Sequence, residues 1–412
     1  MKKKIILISC AVVCVVVAVL SFTVIVPKAK YNHAMKLIQS GEYNEAVTVL
    51  EKLDAQKYQN DIVECKYKIA CNLFTSKKYT EAEKTFEGLG NYKDSEDYIM
   101  KCKYNAATDL YNSKKYEEAE KAFVELDGYE DSMNYIKMCR YNRALDLYNK
   151  KNYEEAAKLF KKADDYEQSE ELYAKCMYIQ GKALYDEKKY ADALAYLVDA
   201  DNINDSSKMI YQIEKNQIKS AKVKSSVYFG KVHYETNNGG QNEPIKWTVL
   251  EIKNNKALLL SDNVLTNEVY MDREVDTKID WHMSSLNNRY AYTYFSTFFF
   301  EKEQNVIYND TYYSSNGVFI LSEDEIRDYF KDSKERIATK IYDKSSPAAY
   351  WLRSDVYEPH GAEMFKALVQ GERHEKHMCA DSIDENGYVY NEKLATDICG
   401  VRPAIWIDLS KL

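Results

Sequence analysis

The chain has 412 residues, 30% of them charged, and a net charge of −8, which allows several domains. The charge excess is acidic and no basic run follows Lys2–Lys4, so nucleic acid is excluded as an expected partner. The cysteines do not suggest a disulfide framework, because two lie in an N-terminal apolar run and four recur at one fixed spacing.

The N-terminus combines a basic tail, residues 1–4, with an uncharged apolar run over residues 5–26. A helix of that length crosses about 30 Å of hydrocarbon. We therefore predict a transmembrane helix at 5–26 in a bacterial cell membrane, with residues 1–4 cytoplasmic and the bulk of the chain extracytoplasmic. A cleaved signal peptide and lipidation at Cys10 are the alternatives.

A spacing of 37 residues organises the next part of the chain, about residues 29–221. Cysteines recur at this interval, each followed two residues later by a tyrosine, and a second tyrosine series keeps the same step with an alanine three residues on. Fixed periods of this size indicate stacked supersecondary units. The framework of the predicted repeat comprises Tyr67, Ala82, Phe86, Tyr104, Ala119, Phe123, Tyr141, Ala156, Phe160, Tyr178 and Ala193.

Two parts of one unit, Tyr104-x6-Tyr111 and Ala119-x3-Phe123, carry a resemblance. They resemble the tetratricopeptide repeat family, whose first helix carries aromatic and small residues and whose second carries Ala and Phe four apart. The departures are a period of 36–37 residues instead of 34, a shorter turn and no proline after the second helix. The resemblance implies an all-α solenoid of about five units, ended by a capping helix at 209–221.

The framework tyrosines are interpreted as repeat core, and the four periodic cysteines as small buried apolar residues. Residues that bind a partner are expected off this framework, where the copies differ. Because solenoids usually bind other proteins, we predict a protein-docking platform over residues 29–221.

The composition changes at residue 222, beyond which all four tryptophans lie. Residues 245–252 alternate apolar and polar, Asn254 and Asn255 favour a turn, and residues 257–260 are apolar, which predicts a β-hairpin. Residues 285–300 favour a helix, and Ser322 with Glu325 forms a capping box before another. Residues 222–412 are therefore predicted to form an α+β domain.

Short motifs in this domain carry a second resemblance: Phe-Gly at 229–230, Trp-Leu-Arg-Ser at 351–354 and Gly-Val-Arg-Pro-Ala-x-Trp at 400–406. In that order they resemble a bacterial domain family of unknown function. That family in turn resembles, more distantly, the fold of formylglycine-generating enzymes and C-type lectins. Neither the closely spaced copper-binding cysteine pair of the enzymes nor the calcium motif of the lectins is present, so we expect no cofactor.

Candidate site residues in this domain are few. Arg353 and Arg402 lie within apolar strand motifs, where they either bind an anionic ligand or bind internal acceptors. His374, His377 and His360 could hold a metal ion, but the charged stretch 356–378 falls between two predicted strands, which favours a solvated loop or helix. No catalytic residue can be assigned, and whether Cys379 and Cys399 pair is left open.

The sequence thus predicts a membrane-anchored extracytoplasmic scaffold, whose solenoid docks proteins and whose C-terminal domain binds a peptide or glycan. The alternatives are a metal-dependent enzyme acting on the cell envelope through the histidine segment, or a sensor.

Overall fold

The computed structural model describes residues 26–200, 203–236, 239–273, 279–314, 316–354 and 379–412. The chain divides into two compact units, Met1–Asp146 and Leu147–Leu412, and one helix, Ser132–Asn149, runs across the division. Helices fill the first unit, whereas the second contains further helices and a sheet-rich domain. The predicted fold class is confirmed at this level: an all-α solenoid precedes an α+β region.

The solenoid is built from helices that alternate between longer and shorter lengths after the first hairpin. The longer helices carry two adjacent apolar stripes, whereas the shorter ones bury mainly the Ala and Phe positions. The helices are α1 Val26–Ser40, α2 Tyr43–Asp54, α3 Gln59–Thr75, α4 Tyr79–Glu87, α5 Ser95–Asn112, α6 Tyr116–Val124, α7 Ser132–Asn149, α8 Tyr153–Ala163, α9 Ser169–Asp186, α10 Tyr190–Leu197 and α11 Ser206–Ser220.

The turns between a long helix and the following short helix all contain a left-handed lysine. Lys77, Lys114, Lys151 and Lys188 have φ of 59°, 60°, 62° and 62°. In one such turn the amide of Lys114 donates to Tyr111 O at 2.9 Å and the next amide donates to Leu110 O at 3.0 Å. This pattern closes the carbonyl end of the long helix, which explains how so short a turn forms without glycine.

Each complete long helix after α3 begins at a fully buried serine, as at Ser95 and Ser169. The Ser95 hydroxyl donates to Tyr92 O at 2.6 Å, and the Ser169 hydroxyl donates to Tyr166 O at 2.5 Å. The serine therefore satisfies a carbonyl of the preceding turn. It does not accept an amide of its own helix, as a serine N-cap would.

The C-terminal domain contains two five-stranded sheets and one two-stranded sheet. Their orders are β1-β2-β3-β12-β5, β10-β9-β8-β11-β4 and β6-β7. One apolar cluster, with Trp247 of β2 and Trp351 of β8, draws on both large sheets. The strands are β1 Ser226–Thr236, β2 Gly239–Lys253, β3 Lys256–Ser261, β4 Thr266–Val269, β5 Val318–Phe319, β6 Ala338–Lys340, β7 Asp343–Ala348, β8 Tyr350–Trp351, β9 Cys379–Ile383, β10 Val389–Leu394, β11 Ile398–Val401 and β12 Ala404–Asp408.

The predicted hairpin is confirmed as β2 and β3, which pair antiparallel. Asn254 and Asn255 join the two strands with φ of 49° and 59°. A two-residue hairpin turn that matches the twist of its strands requires positive φ at both residues. The capping box is also confirmed, because the Ser322 amide donates to Glu325 and the Glu325 amide donates to the Ser322 hydroxyl. The helices of this domain are α12 Ser285–Arg289, α13 Phe295–Phe298, α14 Glu301–Gln304, α15 Glu323–Tyr329 and α16 Ser333–Arg336.

The predicted single-pass localisation in a membrane is not supported and is corrected here. Across the described ranges, no helix is both long enough and apolar enough to span a bilayer. Residues 5–25 of the predicted span lie outside those ranges, and the last one, Val26, begins a helix that carries Lys28, Lys30 and Lys36.

Candidate functional site

The repeat framework lies in or against the core of the hairpins. The alanines at 82, 119, 156 and 193 and the phenylalanines at 86, 123 and 160 are fully buried. Tyr67 is buried, whereas Tyr104, Tyr141 and Tyr178 are half-buried. These side chains are therefore held by their own repeats, and the surface open to a partner consists largely of other residues.

The aromatic packing of one repeat recurs in the next. The Tyr67 ring meets Phe86 edge-on at 5.8 Å between centroids, and Phe86 stacks on Tyr98 at 4.9 Å. One period later Tyr104 meets Phe123 at 5.8 Å, and Phe123 stacks on Tyr135 at 4.6 Å. Each phenylalanine thus joins its own repeat to the long helix of the following one.

Framework tyrosines also bind the acidic residue that precedes the next long helix. The Tyr67 hydroxyl donates to Asp94 Oδ1, and the Tyr178 hydroxyl donates to Asp205 Oδ1 at 2.6 Å. The hydrogen bond from Tyr178 lowers the pKa of Asp205, and the same bond, with burial, raises the pKa of Tyr178 to about 12. The hydroxyl therefore acts as a permanent donor that couples adjacent repeats.

The four periodic cysteines are buried among apolar side chains. Burial raises the pKa of Cys102 to about 11 and the pKa values of Cys139 and Cys176 to about 12. Since the thiolate is the nucleophile and the metal ligand, these thiols are unsuited to either role at neutral pH.

A surface cleft of about 340 Å³ lies between two neighbouring repeats of the first unit. Its lining combines two lysines, one carboxylate, two small polar residues and an apolar floor. The lining residues are Lys77, Tyr79, Thr80, Ala106, Asp109, Leu110, Ser113 and Lys115. Lys77, Tyr79 and Leu110 recur in the other repeats, whereas Thr80 and Ala106 occur in one copy only, as expected of residues that contact a partner.

Arg402, a predicted ligand-binding residue, is buried within the C-terminal domain. Its Nε donates to Ser261 O at 2.8 Å, and its Nη1 donates to Arg336 O and to the Tyr350 hydroxyl, both at 3.3 Å. Its guanidinium also lies over the Phe330 ring at 5.8 Å. These contacts tie the segment between β11 and β12 to β3, β8 and α16. A role in binding an anion stays a prediction.

Arg353, the second predicted ligand-binding residue, lies nearer the surface. Its Nη2 donates to Glu325 Oε2 at 2.7 Å, which ties it to the capping box of α15. Its guanidinium lies over the rings of Tyr313 and Tyr312, at 5.1 and 5.6 Å from their centroids. Tyr312 is 67% exposed, so this arginine is adjacent to an accessible aromatic face.

The predicted metal ligands His360, His374 and His377 lie outside the described residues, as does the side chain of Cys379. Both the metal site and the pairing of Cys379 with Cys399 stay open. Within the ranges that the structure describes, no group of three His, Cys, Asp or Glu side chains is arranged to hold a metal ion.

Sequence reasoning missed one pair of residues, Glu214 of α11 and Glu303 of α14, which are both fully buried. The sequence did contain a sign that Glu214 is buried. Glu214 has Ile210 four residues before it and Ile218 four residues after it, so it lies on the apolar face of the predicted capping helix. The sequence held no comparable sign for Glu303.

Comparison with known proteins supports the repeats alone. Residues 140–163 match the sequence model of the tetratricopeptide repeat family. No curated protein matches the chain.

Similar solved structures include MamA from Desulfovibrio magneticus RS-1. The two sequences are 17% identical, the match covers 46% of this chain and 96% of that one, and the TM-score is 0.15. Another is a putative kinesin light chain of Podospora anserina with TPR-like repeats, at 11% identity, 45% of this chain, 94% of that one and a TM-score of 0.15. A third is the Rap conjugation gene regulator of plasmid pLS20 in complex with the Phr* peptide. The two sequences are 16% identical, the match covers 45% of this chain and 54% of that one, and the TM-score is 0.15. Such low TM-scores carry no argument about this chain.

Proposed function

We propose that the solenoid is a docking platform for another protein and that the cleft between Lys77 and Lys115 receives an extended segment of that partner. The observation that supports this proposal is the cleft itself. It lies between repeats, and its lining includes positions at which the copies differ, such as Thr80 and Ala106. The match to the tetratricopeptide repeat family over residues 140–163 supports a solenoid of this kind.

The lining favours a segment with one acidic side chain beside an apolar one. Lys77 and Lys115 are exposed, and the cleft contains both of them and Asp109. A carboxylate between two lysines gains a charge-assisted hydrogen bond, and Leu110 with the Tyr79 ring offers an apolar contact next to it. Ser113 and Thr80 supply hydroxyl groups that can bind the peptide backbone of the segment.

The test is a selection of displayed random peptides on the full chain, followed by affinity measurement of the enriched sequences. Acidic and apolar residues should be enriched together. The double substitution Lys77→Glu with Lys115→Glu should weaken binding at least about tenfold, because it replaces attraction with repulsion.

The matched control is the double substitution Lys84→Glu with Lys121→Glu, on exposed positions of the two neighbouring short helices. It makes the same change of charge outside the cleft and should leave binding within about twofold. If both double variants bind the enriched peptides as tightly as the parent chain does, the cleft is not the docking site.

A second candidate concerns the C-terminal domain, as a module that binds a glycan or peptide. The observation that favours it is the exposed ring of Tyr312 beside the guanidinium of Arg353. An aromatic face next to a cation suits a sugar ring that carries an anionic group. Tyr312→Ala should abolish capture of such fragments, whereas Tyr388→Ala, at another exposed tyrosine, should not; equal capture by both variants would rule this site out.

A further inference from the structure

The cap helix α11 and strand β1, both in the second unit, meet at an irregular point of the strand. The pairing of β1 with β2 shifts register between Tyr228 and Lys231. Two backbone amides at this bulge donate to side chains of α11: Tyr228 N to Gln217 Oε1, and Gly230 N to Glu214 Oε1, both at 3.0 Å. Bulges often occur where a strand must present groups to a neighbour.

Glycine is required at the centre of this bulge. Gly230 has φ of +74°, and a Cβ placed on it would lie 2.7 Å from Phe298 O and from the Phe299 ring. The backbone is therefore fixed in the one conformation that directs the Gly230 amide toward the Glu214 carboxyl group. The hydrogen bond between the Gly230 amide and Glu214 therefore depends on glycine, because any other residue at 230 would disturb it.

Phe300, whose amide binds Glu303, packs against the apolar cluster that contains Ile210 and Ile213 of α11. The carboxyl groups of Glu303 and Glu214 are therefore close enough for the charge of one to act on the other. Both residues are 0% exposed, and each carboxyl has one oxygen bonded to a backbone amide, of Gly230 for Glu214 and of Phe300 for Glu303. The other two oxygens, Glu214 Oε2 and Glu303 Oε1, have no hydrogen-bond partner among the described residues. Two carboxylates can only accept, so the pair lacks one hydrogen.

We propose that Glu214 and Glu303 share one proton and form a pH-dependent clasp between the cap helix and the C-terminal domain. The clasp is closed while one carboxyl donates to the other, and it is weakened when both are ionised. Two negative charges enclosed together in the protein interior repel strongly, and a single proton turns that repulsion into a hydrogen bond.

The charged and titratable groups around the pair fit this arrangement. Tyr211 on α11 faces both carboxyls, which with burial raise its pKa, so its hydroxyl stays neutral. Lys231 on β1 is the cation that faces the pair, and its charge lowers the pKa of Glu303. That attraction is outweighed: burial raises the pKa of Glu303 to about 7, and burial with the charge of Glu303 raises the pKa of Glu214 well above its usual range.

The direction of the pH effect follows from these raised pKa values. Each raised pKa means that the folded chain still holds a proton on that carboxyl at a pH where the unfolded chain, with a usual value near 4.5, has released it. The first proton leaves the folded pair near pH 7, and the shared one remains above that pH. The stabilisation is therefore complete below about pH 4.5, declines as the pH rises, and is lost once the pH has passed the folded pKa values. Acidification tightens the junction, and alkaline conditions weaken it.

The test uses urea unfolding of the full chain followed by tryptophan fluorescence between about pH 5 and pH 9. All four tryptophans lie in the C-terminal domain, so the signal reports that domain. The unfolding constant of the parent chain should rise by up to about tenfold per pH unit for each proton that the folded pair retains. Glu303→Gln should flatten that rise, because an amide supplies the missing hydrogen at every pH.

Glu301→Gln is the matched control, since Glu301 is an exposed residue of the same short helix. It should keep the pH dependence of the parent chain. Comparing variants also removes the contribution of the histidines, which titrate in the same range. Equal slopes for Glu303→Gln and the parent chain would overturn the proposal.

A direct measurement covers the case in which Glu303→Gln does not fold. The infrared difference spectrum of the folded parent chain between pH 6 and pH 9 should contain the carbonyl stretch of a protonated carboxylic acid in an apolar environment. Glu301→Gln should retain this band. A folded parent chain without the band at pH 6 would show that the pair is ionised, and the clasp would be refuted.

Discussion

The repeats and the C-terminal domain both bury aromatic side chains, but they do so with different kinds of contact. In the repeats one arrangement recurs, with Phe86 stacked on Tyr98 and, one period later, Phe123 stacked on Tyr135. In the C-terminal domain several aromatic contacts join distant parts of the sequence, as where the Tyr270 ring meets the Trp351 ring at 5.4 Å between centroids. A repeat contact can therefore be inferred from its copies, whereas a contact in the domain depends on its own surroundings.

The sharpest test of this contrast is to remove equivalent phenylalanines from two repeats. Phe86→Ala and Phe123→Ala should each lower the free energy of unfolding by about 3–5 kcal/mol, because both rings are fully buried in the same kind of packing. Urea unfolding followed by far-ultraviolet circular dichroism would measure the two costs. Values that differ by more than about 2 kcal/mol would show that the repeats are not energetically equivalent.

The second test asks whether a glycine of the C-terminal domain depends on its surroundings more than a glycine of the repeats does. Gly317 and Gly128 have similar φ, +88° and +85°, but a Cβ on Gly317 would lie 2.7 Å from Tyr308 O, whereas a Cβ on Gly128 would have nothing within 4 Å.

We expect Gly317→Ala to cost about 2–4 kcal/mol, because strain and collision add, and Gly128→Ala to cost about 1 kcal/mol from strain alone. Tryptophan fluorescence measures the first and circular dichroism the second. Similar costs at the two positions would mean that the backbone near residue 317 moves to make room.

The same contrast explains how much of the fold the sequence could predict. The spacing of Cys102 and Cys139, and of Ala119 and Ala156, predicted the repeats and their helix pairs. Local signals in the C-terminal domain also succeeded, since Asn254 with Asn255 predicted a hairpin turn and Ser322 with Glu325 a capping box. Each of these features is determined by residues close together in the chain.

What sequence reasoning missed depends on residues far apart in the chain. The order of the sheets, with β12 between β3 and β5, is set by pairings that no local pattern specifies. The Glu214–Glu303 pair is equally non-local, because Glu303 is buried only once α14 lies near α11. The cleft between repeats has the same origin, since Lys77 and Asp109 belong to different units of the period.

A third test concerns the tyrosine–aspartate hydrogen bond that couples repeats. Tyr178→Phe should lower the free energy of unfolding by no more than about 1 kcal/mol at neutral pH, because the hydrogen bond to Asp205 is exposed to solvent. The bond lowers the pKa of Asp205, so its contribution is present above about pH 4 and lost as the pH falls further.

Urea unfolding of the full chain at pH 7 and near pH 3 would measure this difference. In a background that carries Asp205→Asn, the substitution at Tyr178 should show no such pH dependence. A difference between parent and Tyr178→Phe that stays constant down to pH 3 would exclude a role for the carboxylate charge.

The smallest expected effect is a gain in stability at the left-handed lysines. Lys114 has φ of 60°, a conformation that costs a residue with a Cβ about 1 kcal/mol and glycine almost nothing. Glycine also makes the unfolded chain more flexible, which offsets part of the gain. We therefore expect Lys114→Gly to stabilise the chain by about 0.5 kcal/mol, and Lys77→Gly, one period earlier, to give the same result because its φ is 59°.

The control is Lys121→Gly, at an exposed position inside α6, where glycine should cost about 1 kcal/mol instead. Opposite signs for Lys114→Gly and Lys121→Gly in urea unfolding would separate relief of backbone strain from the cost of a more flexible chain. Lys121→Gly also removes an exposed ion pair with Glu117, which adds slightly to its cost. A loss of stability at Lys114 would indicate that its side chain makes a favourable contact larger than the strain of its backbone. The turn lysines would then contribute to the packing of the repeats, as the tyrosines do.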